Sequence, residues 1–524
     1  MLKPPRARVI DPSRRARGRL LSSLCVALAA VPACSSSEND SAASGLDGGM
    51  ADALTLPDGA APDVDGEASA DDGGQDATEE AVEIDAGDSG FDAGPDPCGE
   101  VNAFVPMYGS AVATWTAQDD LGGWPDSPVV FAGSSSIRRW EGLALAYTDY
   151  SPLQRGMGGA QLAEIAYYAD QLINRHNPRT VVIYAGTNDI DAGVPVGVVV
   201  DRLRCLRYRI GQQLGWTRPV LFIGVTPNPA RWSEWAASAE FNAQAAGLAQ
   251  GDPGLVYVDV ATPFLATGSP PDASLFAADG LHLSKAGYAL WNSVIRPAVE
   301  AASLPTAKAG ASSPELASGT RILIDLGPSD PVDGEWTPSP DYLGQSWNNW
   351  HALQAGVEVL PGEQLVNLVT SQGDATGVDL VIAGGFLAAG RVNGGLSWPD
   401  PALLGDLAVG TATEDYFYTT GDEVPGALFL RGLDPSRSYT LRLFAARDAA
   451  EVRVTRYTVQ GASLASATLQ TSGAGAGQGG KTTNDDDVAV FTGVKPDAWG
   501  HVFVDVSIEQ GSYGYLSLVE LDVE

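Results

Sequence analysis

Between residues 102 and 301, short apolar runs alternate with stretches of helical spacing, and this alternation is the strongest constraint on the fold. Four runs rich in β-branched residues predict buried parallel strands: VVF near residue 130, TVVIYAG, PVLFIGV and LVYVDVA. The stretches around them place apolar residues three or four apart, as in helices that cover a sheet: AQLAEIAYYADQLINR, VVVDRLRCLRYRIGQQLG, EWAASAEFNAQAAGLAQ and AGYALWNSVIRPAVEAA. The alternation predicts an α/β domain with a doubly wound parallel sheet in a three-layer sandwich.

Residues 319–524 show strand patterns only. Apolar residues alternate in RILIDLG, DLVIAGGF, GALFLRGL, YTLRLFAAR, VRVTRYTVQG, VAVFTGV, HVFVDVSIE and YLSLVELDV, and turn signals separate these runs. We predict an all-β sandwich or jelly-roll domain, joined to the first domain by a linker rich in Pro, Ala and Ser at residues 302–318. Five aromatic residues there fit either a sugar-stacking surface or, as the favoured interpretation, the sandwich core: Tyr342, Trp347, Trp350, Trp398 and Tyr418.

The first 101 residues have no pattern of a folded domain. In residues 1–33, basic residues precede the apolar run LLSSLCVALAAV, which is too short to span a bilayer, so we predict an export signal. The run ends near Cys34 in a pattern that resembles a bacterial lipoprotein signal, in which the cysteine is lipidated; a plain cleavage site is the alternative. Residues 34–101 are rich in Asp, Ala, Gly and Ser and predict an acidic, disordered tether. The protein is therefore expected to be exported, as an outer-membrane or cell-surface lipoprotein or else secreted, with no membrane contact beyond the lipid.

The charge and the cysteines exclude several classes of function. The formal net charge is −34 at pH 7, much of it in the tether, and no basic stripe is present, so we expect no nucleic-acid partner. The chain has four Cys and four His without CxxC pairs or His clusters, so we expect no metal and no cofactor. Cys98 and Cys205 could form a disulfide in an oxidising compartment, although the sequence does not show that they meet.

Polar clusters follow the predicted strands, where ligands of parallel sheets bind. GSSS follows the first strand, GTND the second and TPNPARW the third, and DGLH precedes the last helix. Three serines after a glycine are also typical of a simple turn, and an isolated DxxH is more often a surface turn. His282, however, is suited to remove a serine proton near neutral pH, and Asp279 is close enough in sequence to orient its ring.

These clusters, in this order, resemble the SGNH or GDSL-type esterase and lipase family. The matching blocks are FAGSSSIRRW, RGMGGA, AGTND and DGLHLSKAGYALW, which fall within residues 102–301. One position departs from the family pattern, because the Asp that precedes the nucleophile is Ser134 here. The sequence lacks the G-x-S-x-G elbow of α/β-hydrolases, which argues against that other serine-esterase fold.

Residue by residue, the resemblance implies a role for five residues. Ser135 would be the nucleophile, His282 the general base and then acid, and Asp279 the group that fixes its tautomer. The backbone N–H groups of Ser135 and Gly159 and the side-chain amide of Asn188 would form the oxyanion hole. Activity is then expected to fall as the pH drops through about 6.5, where a free imidazole takes a proton.

The function that the resemblance implies is hydrolysis of carboxylic esters through an acyl-enzyme. The second domain is similar to β-sandwich modules of secreted carbohydrate-active esterases, so the expected substrate is an O-acetyl or other short-acyl group on extracellular polysaccharide. A lysophospholipase or small-ester lipase would use the same residues. A glycan-binding surface protein with an inactive hydrolase domain is an alternative of another class, against which the intact Ser135, Asn188, Asp279 and His282 argue.

Overall fold

The structure is a computed structural model that describes residues 94–306, 316–352, 355–421 and 424–524. The predicted export signal, Cys34 and residues 34–93 of the predicted tether lie outside the described residues, as does most of the predicted linker. All of the described residues belong to one compact unit. Two regions within it have different architectures, and we call them the α/β region and the β region.

A five-stranded parallel sheet forms the centre of the α/β region. Its strands, in the spatial order β2-β1-β3-β4-β5, are β1 (Val129–Gly133), β2 (Pro152–Gly156), β3 (Thr180–Tyr184), β4 (Val220–Ile223) and β5 (Leu255–Val258). Alternate residues of β1 enter two different cores, Val130 on one face of the sheet and Phe131 on the other. The predicted doubly wound α/β sandwich is therefore confirmed.

Helices cover both faces of this sheet because each presents an apolar side to one of the two cores. The bounds are α1 (Gly99–Asn102), α2 (Gly109–Asp120), α3 (Ser135–Arg138), α4 (Leu143–Ala146), α5 (Leu162–Tyr167), α6 (Ala169–Leu172), α7 (Thr187–Asp191), α8 (Val196–Leu214), α9 (Trp235–Gly251), α10 (Ala261–Leu265) and α11 (Lys285–Ala302). The stretch AQLAEIAYYADQLINR was predicted as one helix, but it forms α5, α6 and a 3₁₀ turn at Asn174–His176. Cys98, just before α1, and Cys205 on α8 form a disulfide with a Cα–Cα distance of 4.8 Å.

The β region consists of three sheets around a shared apolar core. The strands are β6 (Arg321–Pro328), β7 (Asn348–Ala352), β8 (Glu358–Val359), β9 (Gln364–Leu365), β10 (Asp379–Gly384), β11 (Phe386–Ala389), β12 (Tyr416–Thr419), β13 (Gly426–Arg431), β14 (Tyr439–Phe444), β15 (Arg453–Gln460), β16 (Leu464–Ser472), β17 (Ala489–Val494), β18 (Val502–Gln510), β19 (Gly514–Leu516) and β20 (Leu518–Val523).

Their order is β16-β15-β18-β13-β10-β9, β19-β12-β11-β8 and β17-β14-β20-β6-β7. All described pairs are antiparallel except β6 with β7. Two short helices, α12 (Pro401–Leu404) and α13 (Gly410–Thr413), interrupt the strands. The predicted all-β sandwich is confirmed.

The five aromatic residues considered for a sugar-stacking surface do not lie together on the outside. Trp347 and Trp350 are each 3% exposed and pack in apolar cores, whereas Trp398 is 90% exposed. Tyr342 is exposed as well, and Tyr418 is half-buried. The core interpretation therefore applies to the two buried tryptophans only.

Buried polar contacts join the two regions near β2. The Arg155 guanidinium donates a hydrogen bond to the Gly362 carbonyl over 3.1 Å, and the Gln118 amide donates to the Glu363 carboxylate over 3.3 Å. Burial raises the pKa of Glu363 to about 7. The β region thus lies directly against the edge of the parallel sheet. No helix among the described residues combines the length and the apolar character needed to cross a membrane.

Candidate active site

The turn after β1 places Ser135 at the carboxyl edge of the parallel sheet. Gly133 has a φ of 157°, and a Cβ there would lie 2.2 Å from the Tyr184 carbonyl oxygen. The Ser134 N–H donates to that same carbonyl over 2.9 Å. The glycine therefore allows the turn to approach β3 closely, and Ser135 begins α3 immediately afterwards.

The structure brings Ser135, His282 and Asp279 into one hydrogen-bonded chain. The His282 Nε2 lies 2.8 Å from the Ser135 Oγ, and its Nδ1 lies 2.6 Å from the Asp279 Oδ2. The other carboxylate oxygen, Oδ1, accepts the backbone N–H groups of Leu281 and His282, each over 2.9 Å. Asp279 is thus fixed by its own turn, and an Nδ1–H donated to it leaves Nε2 free to accept the serine proton.

The surroundings of His282 and Asp279 favour the protonation states that this hydrogen-bonded chain needs. Burial lowers the pKa of His282, and the nearby Arg139 and Arg138 lower it further, against the raising effect of Asp279. For Asp279, burial alone would raise the pKa, but hydrogen bonds from His282 and Leu281 hold it below its usual value. Near pH 7 the imidazole is therefore neutral and the carboxylate ionised.

Candidate oxyanion donors lie on the same cleft as Ser135 and His282. In the described part of the chain, the backbone N–H groups of Ser135 and Gly159 donate no hydrogen bond to another residue. Gly159 has a φ of 82°, a conformation that favours glycine. The Asn188 side chain donates to the Ala160 carbonyl over 3.0 Å, so one amide hydrogen is engaged and one remains.

Asn188 is held in place by neighbouring residues to which the sequence analysis assigned no role. Its Oδ1 accepts from the Arg231 guanidinium over 3.0 Å, so the amide nitrogen is the group left for other partners. Arg231 belongs to the TPNPARW cluster after β4. Its position at the end of a strand was the one feature of the sequence that could have indicated a place in the site. Next to Asn188, Asp189 is fully buried and accepts from the Leu162 N–H and from Arg202, which ties α7 to α5 and α8.

The cleft around these groups has a volume of about 420 Å³, and both apolar and polar groups line it. Arg138, Arg139 and Arg231 contribute three guanidinium groups. Glu358 and Leu360, both from the β region, also line it, and Glu358 forms an ion pair with Arg138. No pattern in the sequence indicated that the second region reaches the cleft. Within the described ranges, no group of three or more His, Cys, Asp or Glu side chains is arranged to hold a metal ion.

Comparison with known proteins assigns a family to part of the chain. Residues 116–290 match the model of the GDSL-like Lipase/Acylhydrolase family. A search of curated proteins finds no match.

Solved structures similar to this chain include three bacterial enzymes. A GDSL-like lipase from Bacteroides thetaiotaomicron is 17% identical, with 37% of this chain and 98% of that chain covered and a TM-score of 0.32. A lipase/acylhydrolase from Enterococcus faecalis is 16% identical, with coverage of 34% and 99% and a TM-score of 0.29. A catalytic mutant of an acetylxylan esterase from Geobacillus stearothermophilus is 13% identical, with coverage of 33% and 93% and a TM-score of 0.29.

Proposed function

We propose that this protein, in which residues 116–290 form a GDSL-like lipase/acylhydrolase domain, is a serine hydrolase that cleaves short-acyl esters, O-acetyl groups above all, on extracellular polysaccharide. The observation that supports this most directly is the chain from the Ser135 Oγ to His282 Nε2 over 2.8 Å and from His282 Nδ1 to Asp279 over 2.6 Å. Nucleophile, base and orienting carboxylate lie within hydrogen-bonding distance, as acyl transfer requires.

The proposed reaction has two steps. The Ser135 Oγ attacks the acyl carbonyl carbon while its proton passes to the His282 Nε2, and the negative oxygen binds the N–H groups of Ser135 and Gly159 and the Asn188 amide. The C–O bond to the alcohol then breaks, and the alcohol leaves with the proton from His282. In the second step His282 removes a proton from water, the hydroxide attacks the acyl carbon, and Ser135 regains its proton as the carboxylic acid departs.

The charged side chains of the cleft support a polar alcohol as the leaving group. Four charged side chains line the cleft: Arg138, Arg139, Arg231 and Glu358. Guanidinium and carboxylate groups hydrogen-bond well to hydroxyl-rich ligands such as sugars.

The proposed location is the cell surface or the medium, following the export signal at residues 1–33 and lipidation at Cys34. These residues lie outside the described part of the chain. The disulfide between Cys98 and Cys205 supports the proposal, because disulfides persist in oxidising compartments.

An ester panel tests the proposal on the full chain. We expect hydrolysis of p-nitrophenyl acetate and butyrate, release of acetate from acetylated xylan, and little activity on p-nitrophenyl palmitate or lysophosphatidylcholine. Preference for the palmitate ester or the lysophospholipid would favour the lipase alternative instead. Absence of hydrolysis of every ester would leave only the interpretation as an inactive, glycan-binding protein.

A further inference from the structure

The β region has a second cavity, which shares no lining residue with the catalytic cleft. Its volume is about 450 Å³. The side chains that distinguish it are four tyrosines and two arginines, which together define what we call the tyrosine–arginine pocket: Tyr416, Tyr418, Tyr513, Tyr515, Arg447 and Arg453.

The four tyrosines form a connected aromatic cluster with two rings at its exposed side. Tyr416 and Tyr515 are each 2% exposed and pack edge to face, with ring centroids 5.0 Å apart. Tyr418 and Tyr513 are half-buried, and their centroids lie 5.7 Å apart. Among the described residues, neither of their hydroxyl groups hydrogen-bonds to protein. Half-exposed aromatic rings with free hydroxyls at the mouth of a cavity are suited to stack on a sugar ring.

The two arginines differ in how their charge is balanced. The Arg453 guanidinium lies 4.9 Å from the Tyr513 ring centroid and forms an ion pair with Glu451 over 2.7 Å. Arg447 also lines the pocket, but no carboxylate of the described residues lies within ion-pair distance of it. Among the described residues, the Arg447 guanidinium therefore has no carboxylate partner, and its planar donors match a carboxylate of a ligand.

Strand register places this pocket and the catalytic cleft on the same face of one sheet. Glu358 pairs with Leu387, Leu387 with Tyr418, and Tyr418 with Tyr515, so these side chains form one row across four strands. Glu358, Leu387 and Tyr418 are all partly exposed. The residues on either side of this row are buried in the core and point the other way: Val359 with its partner Phe386 on one side, and Phe417 with its partner Leu516 on the other. Glu358 in the cleft and Tyr418 in the pocket are two strand spacings apart, roughly 10 Å.

We propose that the tyrosine–arginine pocket binds a carboxylate-bearing sugar residue, a hexuronate, of the same saccharide chain whose ester group lies at Ser135. This proposal rests on the proposed function for the identity of the chain. The tyrosine rings stack on the pyranose, and Arg447 pairs with the carboxylate. An ester attached to a longer acidic saccharide then contacts both the cleft and the pocket, whereas a small ester contacts the cleft alone.

Calorimetry on the full chain with two matched ligands tests this. One ligand is a xylo-oligosaccharide with a single glucuronic acid branch and no acetyl group; the other is the same oligosaccharide with the carboxyl reduced to a primary alcohol. We expect the acidic ligand to bind about tenfold more tightly, because a charge-assisted hydrogen bond is lost with the carboxylate. Arg447→Gln should abolish this preference, and Tyr418→Ala should weaken both ligands about tenfold through lost stacking.

Control variants separate the pocket from a general effect on the β region. Trp398→Ala removes an exposed aromatic residue outside the pocket and should leave both affinities unchanged, and Tyr418→Phe should preserve most of the stacking. All variants should keep the thermal unfolding midpoint and the rate on p-nitrophenyl acetate of the unmodified protein. On acetylated glucuronoxylan, Arg447→Gln should raise KM with kcat unchanged.

Equal affinities for the two ligands, no binding of either, or an Arg447→Gln variant that keeps the preference would each overturn the proposal. Because neither ligand contains an ester, preferential binding without any ester hydrolysis would support the pocket while the proposed function failed.

Discussion

Buried carboxyl groups are accommodated differently in two places, one in the α/β region and one in the β region. In the α/β region, Asp119 and Arg155 are fully buried and form an ion pair over 2.7 Å. In the β region, Asp325 and Asp415 are buried against each other, and no cation of the described residues forms an ion pair with either carboxyl. A buried carboxylate with a guanidinium partner keeps its charge, whereas two carboxyls without one must retain a proton.

The protonation of the second pair follows from its surroundings. Burial raises the pKa of both Asp325 and Asp415, and the negative charge of Asp325 raises that of Asp415 further. The backbones of Gly327 and Gly334 lie directly against the Asp415 carboxyl, since a Cβ on either glycine would lie within 2.5 Å of it. The comparison teaches that a buried carboxyl can be accommodated by a guanidinium partner, as at Asp119, or by retaining a proton beside a second carboxyl, as at Asp415.

The largest expected effect is the loss of turnover when Ser135 is replaced. Because Ser135 lies in the α/β region, this loss tests whether the reaction depends on that region. Ser135→Ala should reduce kcat on p-nitrophenyl acetate by at least about 10⁴-fold, because the nucleophile is removed. Ser134→Ala and Ser136→Ala are the matched controls on either side and should stay within about tenfold of the unmodified enzyme. Loss of activity in a control with retention in Ser135→Ala would move the nucleophile to another serine.

A smaller loss is expected on replacement of Asn188, the proposed oxyanion donor. Asn188→Ala should lower kcat by about 10²- to 10³-fold, roughly 3 to 4 kcal/mol, with little change in KM, because the amide acts mainly on the transition state. Steady-state kinetics measure both constants. A rise in KM with an unchanged kcat would instead assign Asn188 to ground-state binding.

The loss of activity at low pH should follow the protonation of His282 in the α/β region, and the pH dependence of kcat/KM measures it. Because burial lowers the pKa of His282, the base stays neutral as the pH falls past 6.5 and takes its proton only below that value. Activity should therefore be constant near pH 7 and decline about tenfold per unit below the pKa of the folded protein, with a midpoint under 6.5. This corrects the sequence-based expectation of a midpoint at about 6.5. A profile between pH 4 and 8 with its midpoint at or above 6.5 would contradict the burial argument.

The smallest effect is on stability and belongs to the β region. The pKa of Asp415 is raised in the folded protein, whereas in the unfolded chain it is about 3.9. Between these two pKa values the folded state binds one proton more than the unfolded state. The contribution of Asp415 to the free energy of unfolding therefore falls as the pH rises through the folded pKa. Asp415→Asn removes the need for that proton and should raise the free energy of unfolding at pH 8 by about 1 to 2 kcal/mol, with less gain at pH 5.

Urea unfolding at the two pH values measures this change, with the exposed Asp374→Asn as the control. The kcat on p-nitrophenyl acetate should not change. An equal change in the free energy of unfolding at both pH values would show that Asp415 holds no extra proton, and the contrast with the Asp119–Arg155 pair would fail.

Much of the α/β region could be predicted because its periodicity directly reflects burial. Strands β1, β3 and β4 are apolar runs buried on both faces, and the edge strand β5 is apolar as well, although Val256 on it is exposed. Strand β2 could not be predicted, because its sequence PLQRG contains Gln154 and Arg155. Their polarity is compensated only in the fold: Gln154 donates to the Ile137 carbonyl over 2.5 Å, and Arg155 pairs with Asp119.

The candidate site divides in the same way. Ser135, Gly159, Asn188, Asp279 and His282 were indicated by motifs because each motif is a short segment whose local backbone sets the residue in place. Their catalytic roles remain predictions, and the structure places all five on one cleft or bonded to it. Glu358 and Leu360 could not be assigned to the cleft, since they lie in another region and reach it only through the packing of β8.

By itself, the sequence determined the two architectures, the order of the motifs along the chain and the residues proposed for acyl chemistry, because strand and helix periods and turn chemistry are local properties. Only the tertiary structure decided that Asp325 lies against Asp415, that Glu358 pairs with Arg138, and that tyrosines from two strands surround Arg447. Such contacts depend on strand order and register, which join residues far apart in the chain and leave no periodic trace in it.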